Sequence, residues 1–190
     1  MLRSRLPSTA LVFRVAAIAA SLALLTLAAW PAKAAPNRPL PRRVGGLEVG
    51  QPPPPLTLER IAGNDPVTLE GLAGRVVLLD FWATWCRPCR ALMPVLDGMH
   101  SQYHPQGLSV VGLSRESEGA IRSHVRALPV GYTIARDIGG TSRSYGVRSI
   151  PTIVVLGRAG KVRDVLIGVD RAAVTRLQTV VQQLLAEPAP

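Results

Sequence analysis

From Leu56 onward the hydrophobic residues fall into short blocks, and the spacing within the blocks switches between a strand period and a helix period. Residues 56–58 and 67–69 are apolar segments on either side of Gly63-Asn64-Asp65-Pro66, a turn sequence, and together predict a small hairpin. Residues 76–81, Val-Val-Leu-Leu-Asp-Phe, form a continuous apolar run broken by one acid, the pattern of a central strand buried on both faces. Leu92, Val95, Leu96 and Met99 recur at helical spacing within 89–103, and Gly107 stops that helix. A strand at 108–113, a helix at 116–128 and a short strand at 132–135 follow. Beyond Gly139-Gly140, residues 153–156 and 162–167 flank a turn at 157–161, which predicts an antiparallel hairpin. A last helix carries Val174, Leu177, Val181, Leu184 and Leu185 on one face. Alternating strands and helices that end in a hairpin and a helix predict an α/β fold with a mixed sheet flanked by helices.

The front of the chain follows neither period. Residues 1–14 carry three arginines and no acid, residues 15–29 are apolar and uncharged, and Ala32-Lys33-Ala34 has the small-x-small pattern of a signal peptidase site. Residues 1–34 therefore read as a signal peptide. The uncharged stretch 15–32 is also long enough, at 18 residues, to stay as a membrane anchor, since roughly 17 to 25 apolar residues span a bilayer. Both readings export the domain, to the periplasm, and place its cysteines in an oxidising compartment. Residues 35–48 are rich in proline and arginine and read as a linker, part of an extended polyproline-like leader that runs on to Pro55. That leaves 49–187 as one domain.

Composition narrows the function. With 47% hydrophobic and 18% charged residues the chain has material for a core, which excludes wholesale disorder. Loss of Arg3, Arg5, Arg14 and Lys33 with the signal takes the net charge from +10 to +6. The remaining basic residues are scattered and aromatics make up only 4%, so the footprint of a nucleic-acid-binding protein is missing.

The chain has two cysteines, Cys86 and Cys89, separated by Arg87-Pro88 directly after the buried strand. Two thiols at the start of a helix can close a tight disulfide, and the helix amides and dipole favour a thiolate at the first position. A low-pKa attacking thiol with a resolving neighbour is what thiol-disulfide exchange requires. Two other readings stand beside it. A structural disulfide is permitted by export, although so short a loop removes little chain entropy. A zinc site is suggested by the spacing of Cys86, Cys89, His100 and His104, but on one helix Cys89 and His100 would lie roughly 16 Å apart at about 1.5 Å per residue.

The run Leu79-Asp80-Phe81-Trp82-Ala83-Thr84-Trp85-Cys86-Arg87-Pro88-Cys89-Arg90 resembles the active-site segment of thioredoxin-fold proteins. The wider chain is similar to the exported TlpA/ResA-type thiol-disulfide oxidoreductases. Val49-Gly50-Gln51-Pro52, the extra segment 115–135 and Tyr145-Gly146-Val147-Arg148-Ser149-Ile150-Pro151-Thr152 carry that similarity. The resemblance implies a thioredoxin-like fold with an N-terminal β-hairpin extension and a βα-type insertion. It implies a redox-active disulfide in which Cys86 is the nucleophile and Cys89 the resolving thiol. Pro151 would be a cis-proline in the substrate groove, with Trp85, Arg87, Pro88 and Ile150 around it. Client proteins with cysteine pairs, in cytochrome c or copper-oxidase maturation, and a membrane electron-transfer thiol reductant are the implied partners of a monomer that needs no cofactor and no metal.

Asp80 is the one acid of the buried strand, and an unpaired buried carboxylate has its pKa raised. It occupies the position of an aspartate that shuttles protons in thioredoxin itself, whereas ResA-type proteins usually have an uncharged residue there. Leu92 stands where ResA-type proteins often carry glutamate, which makes Asp80 the candidate proton acceptor; its alternative is a capped structural acid. Arg87 adds positive charge beside the thiolate, or reads acidic partners. His124 reads as a surface residue of the inserted helix. Two other classes of function remain: a copper chaperone holding Cu(I) on the two thiolates, against which the chain's three methionines argue, and a non-redox client-binding module.

Overall fold

The computed structural model describes residues 43–63 and 65–188. The segment 1–34 and the first part of the linker, 35–42, lie outside the described residues. Within them, nine strands and four helices follow one another as β1 (Arg43–Val44), β2 (Leu47–Glu48), β3 (Thr57–Arg60), β4 (Val67–Thr68), β5 (Val76–Phe81), α1 (Arg87–Tyr103), β6 (Leu108–Ser114), α2 (Glu118–Ala127), β7 (Thr133–Arg136), α3 (Thr141–Ser144), β8 (Thr152–Leu156), β9 (Val162–Ile167) and α4 (Arg171–Ala186). Seven strands form one sheet in the order β4-β3-β7-β6-β5-β8-β9. β6 is parallel to β5 and to β7, and the other pairs are antiparallel. This is a thioredoxin-like α/β fold with a mixed sheet, as the resemblance implies.

The core has two parts because the strands are buried on both faces. Along β5, Val76 and Leu78 join one hydrophobic cluster, while Val77, Leu79 and Phe81 join the other. The first cluster packs the sheet against Leu92, Met93, Leu96 and Met99 of α1 and Leu177, Val181 and Leu184 of α4. The second lies under Leu47, Leu56, Leu58 and Tyr145. Both cysteines belong to the first.

α1 begins at Arg87, two residues before the expected start, because Cys86 itself serves as its N-cap and Pro88 fits the first turn. It continues through Pro94 to Tyr103, and a short 3₁₀ turn carries the chain to Gly107. Ser117 caps α2 by accepting from Ala120 N at 3.4 Å, so that helix starts after Glu116 and leaves Glu116 free to act elsewhere.

One expectation is corrected. The leader is not an unfolded spacer throughout: β1 and β2 pair as a two-stranded antiparallel sheet, and Leu47 and Pro53 are buried. The reason is a distant contact. Gly46 N donates to Tyr145 O, and Gly146, at φ 66°, lets the two backbones approach so closely that any Cβ there would collide with Gly46 N. Tyr145 Oη also donates to Pro54 O at 2.9 Å. Gly50 N donates to Val162 O at 2.7 Å and Val162 N to Gln51 O at 2.9 Å, which lays the leader along the outer edge of β9. The expected hairpin β3–β4 forms, and because β3 also pairs with β7 it extends one side of the main sheet.

Candidate active site

Strand β5 delivers the site. It ends at Phe81, and the loop Trp82–Trp85 leads straight into Cys86 at the start of α1. On the other side of β5, Phe81 faces Thr152 and Asp80 faces Ile153. The peptide entering β8 therefore emerges beside the cysteine loop. The Ile150–Pro151 bond in that peptide is cis. Ile150 packs against the cluster that holds the cysteines.

Cys86 and Cys89 form a disulfide with their Cα atoms 5.3 Å apart, and Cys86 Sγ accepts from Cys89 N at 3.2 Å. The two are unequal. Cys86 keeps 4% exposure and Cys89 none. Trp85, immediately before Cys86, is 73% exposed, an unusual position for so large an apolar ring. Arg87 and Pro88 between the cysteines are exposed as well.

Asp80 lies on the cysteines' side of the sheet, since it alternates with Val77 and Leu79 and follows Leu78 in the same register. Its carboxyl is fully buried with no hydrogen-bond partner among the described residues, and that burial pushes its pKa up to about 7. Asp80 pairs in register with Gly112 of β6. A Cβ on Gly112 would lie 3.1 Å from Trp82 Nε1 and 3.3 Å from the Tyr132 ring. Trp82 Nε1 and Tyr132 Oη are themselves buried without partners among the described residues, so several uncommitted polar atoms gather around one glycine. Burial, reinforced by the nearby Asp80 charge, pushes the Tyr132 phenol above its ordinary range. His124 is half-buried rather than a free surface residue, with its ring 5.2 Å from that of Trp82.

Glu116, which the sequence reading did not single out, braces the loop before the cysteines. Its Oε2 accepts from Thr84 N at 2.6 Å and its Oε1 from Thr84 Oγ1 at 2.7 Å, while Ser114 Oγ donates to Oε2 at 3.2 Å. Charge-assisted bonds of this length are the stronger class. The only sequence signal for it is an acid placed just after a strand whose C-terminal end meets the site. Beside the loop opens a cleft of about 490 Å³, lined among others by Trp85, Arg115, Glu116, Val147, Arg148 and Ile150. Of the residues expected in a substrate groove, Trp85 and Ile150 line this cleft, and Arg87 and Pro88 lie on the adjoining turn of α1.

A thioredoxin-like protein with a paired disulfide at a helix start, next to a cis-proline, is the class that fold and site define. The chain matches the AhpC/TSA family over residues 49–165 and belongs to it. It is 32% identical over 127 residues to the thioredoxin-like protein YneN of Bacillus subtilis, covering 65% of this chain and 74% of that one. It is 30% identical over 118 residues to the thiol-disulfide oxidoreductase ResA of Bacillus thuringiensis, covering 61% and 68%. A solved Chlorobium tepidum structure, assigned as a thiol:disulfide interchange protein DsbE, superposes with a TM-score of 0.70 at 33% identity, over 74% of this chain and 99% of that one. The protein is thus a ResA-like, thioredoxin-fold protein-disulfide oxidoreductase.

Proposed function

We propose that this protein is exported and reduces disulfides of client proteins outside the cytoplasm, with Cys86 as the attacking thiol and Cys89 as the resolving one. The inequality of the pair carries this reading: Cys86 alone keeps any surface, and it caps α1, whose first-turn amides favour a thiolate. In the reduced protein the Cys86 thiolate attacks one sulfur of a client disulfide. The client S–S bond breaks, its electron pair leaves on the second client sulfur, and that sulfur takes up a proton. Cys89 then gives its proton to the Asp80 carboxylate and attacks the Cys86 sulfur. The Cys86–client bond breaks, and the first client sulfur leaves as a thiolate and is protonated. The client has gained two electrons and two protons, and the Cys86–Cys89 disulfide is restored. A membrane electron-transfer thiol protein returns two electrons to it.

A carboxyl with a pKa of about 7 suits the proton step, because it accepts and returns a proton near neutral pH. Trp85, Arg87, Pro88, Ile150 and Pro151 form the client-binding surface. Haem-attachment cysteines of apocytochrome c and copper-site cysteines of a respiratory oxidase are the client classes. Export rests on residues 1–34, as a cleaved signal or an inner-membrane anchor; among the described residues no helix is long and apolar enough to cross a membrane. The test is trapping. Cys89→Ser lacks the resolving step and accumulates covalent mixed disulfides with clients, visible on non-reducing gels, whereas Cys86→Ser accumulates few. Equal trapping by both variants, or none by either, overturns the assignment.

A further inference from the structure

The cleft beside Cys86 is apolar on its floor and basic at its rim. Arg115 and Arg148 line it, both exposed, and among the described residues neither guanidinium makes a hydrogen bond or an ion pair. Arg87 between the cysteines and Arg90 just after them are likewise exposed and unengaged. Elsewhere in the domain Arg122, Arg136, Arg163 and Arg176 are each held by a carboxylate, while the exposed Arg126, Arg143 and Arg171 are not, so it is the pairing of free arginines with an apolar cleft that singles out this place among the described residues. The only acid lining the cleft is Glu116, and both of its oxygens are occupied by Thr84 and Ser114. The carboxylate of Asp137, on the loop that leads to Ser142 of the cleft, is likewise spent on Thr141 and Ser142. The rim is thus net positive: Arg115 and Arg148 line it against the single charge of Glu116, and Glu116 bonds to neutral donors rather than pairing with either arginine.

We infer that the clients present acidic side chains next to the disulfide they bring, and that the cleft seats a polypeptide segment whose Asp or Glu residues meet Arg115 and Arg148 while an apolar residue lies against Trp85 and Ile150. This deepens the function proposed above and rests on it. Charges at a rim act mainly on encounter, by steering the partner, and their effect is screened by salt. They also select against basic segments, because a like charge at the rim stays unpaired.

The experiment uses the full-length protein, reduced, and three disulfide peptides identical except for flanking residues: aspartate and glutamate, serine, or lysine and arginine. Oxidation of Cys86–Cys89 is followed by stopped-flow tryptophan fluorescence at about 20 mM and about 0.5 M salt, conditions that bracket the Debye length of ~8 Å at physiological ionic strength. The acidic peptide reacts at least about tenfold faster than the basic one at low salt, a gap of the size electrostatic steering gives, and the gap closes at high salt. Arg115→Glu with Arg148→Glu inverts the order. Lys161→Glu, in the turn at the opposite end of β8, keeps it. Equal rates for the three peptides, or a faster basic peptide, overturn the inference while leaving the oxidoreductase reading intact. If none of the peptides oxidises the reduced protein, the oxidoreductase reading itself fails.

Discussion

Replacing Asp80 with asparagine separates what the carboxyl costs the fold from what it gives the chemistry. The buried side chain has no partner among the described residues, and burial raises its pKa from the ordinary 3.8 to about 7. Because the folded-state pKa is raised, the stability linked to this group is fully present below the unfolded value and is lost as pH rises towards the folded value. A shift of roughly three units corresponds to about 4 kcal/mol at ~1.4 kcal/mol per unit, as an order of magnitude. Asparagine does not titrate. The stability of Asp80→Asn relative to the parent should therefore climb between about pH 4 and pH 7 and level off above, leaving the variant more stable by a few kcal/mol at pH 8. Urea melts of both oxidised proteins at several pH values measure this. Parallel stability curves would refute the claim of an isolated, desolvated acid. On the proposed role of Asp80 as the base for Cys89, the same variant should reduce client disulfides more slowly near neutral pH and with an altered pH profile. A variant that is more stable but unchanged in rate from pH 6 to 9 would show a structural acid without a part in proton transfer.

Two further changes test the frame around the cysteines. Glu116→Ala removes the acceptor for Thr84 N and Oγ1 and should destabilise the domain by about 2 kcal/mol, the range for hydrogen bonds to a charged group, with a loss of disulfide-reduction rate as the loop before Cys86 loosens; unchanged thermal melting would rule out the brace. Gly146→Ala puts a methyl group into the Gly46 backbone at a positive φ and should cost roughly 2 kcal/mol or more; limited proteolysis should then cut first near residues 45–50, and an intact leader would contradict the contact.

Local pattern carried much of this fold. β5 and β9 fall where the apolar blocks put them, and α1 follows its heptad-like spacing, because each is fixed by burial of a regular face. The short helix α3 escaped. It has no apolar face, and the Asp137 carboxylate, accepting from Thr141 N and Ser142 N, holds it instead. β1 and β2 escaped because their stability depends on Tyr145 and Gly146, some hundred residues away. The same division runs through the site. Cys86 and Cys89 announce themselves as neighbours in the sequence, and Asp80 as an acid among apolar residues. Glu116 and Thr84, or Arg115 and Arg148, become neighbours only when β6 and the segment before β8 are laid on either side of β5, and no local period encodes that.

The leader that runs along β9 has a consequence for how the protein tolerates company. An uncovered outer strand is a template on which another extended chain can build. Here the strand beyond β8 is guarded in three ways: Gly50 and Gln51 occupy its bonds at Val162, a register shift interrupts its pairing at Val155/Leu156, and Asp164 sits inward with its charge held by Arg176 at 2.6 Å. At the opposite border, β4 is two residues long. Both borders of the sheet are thereby poor templates for another extended chain, and the end of the sheet that carries the disulfide is left as the open face for a client.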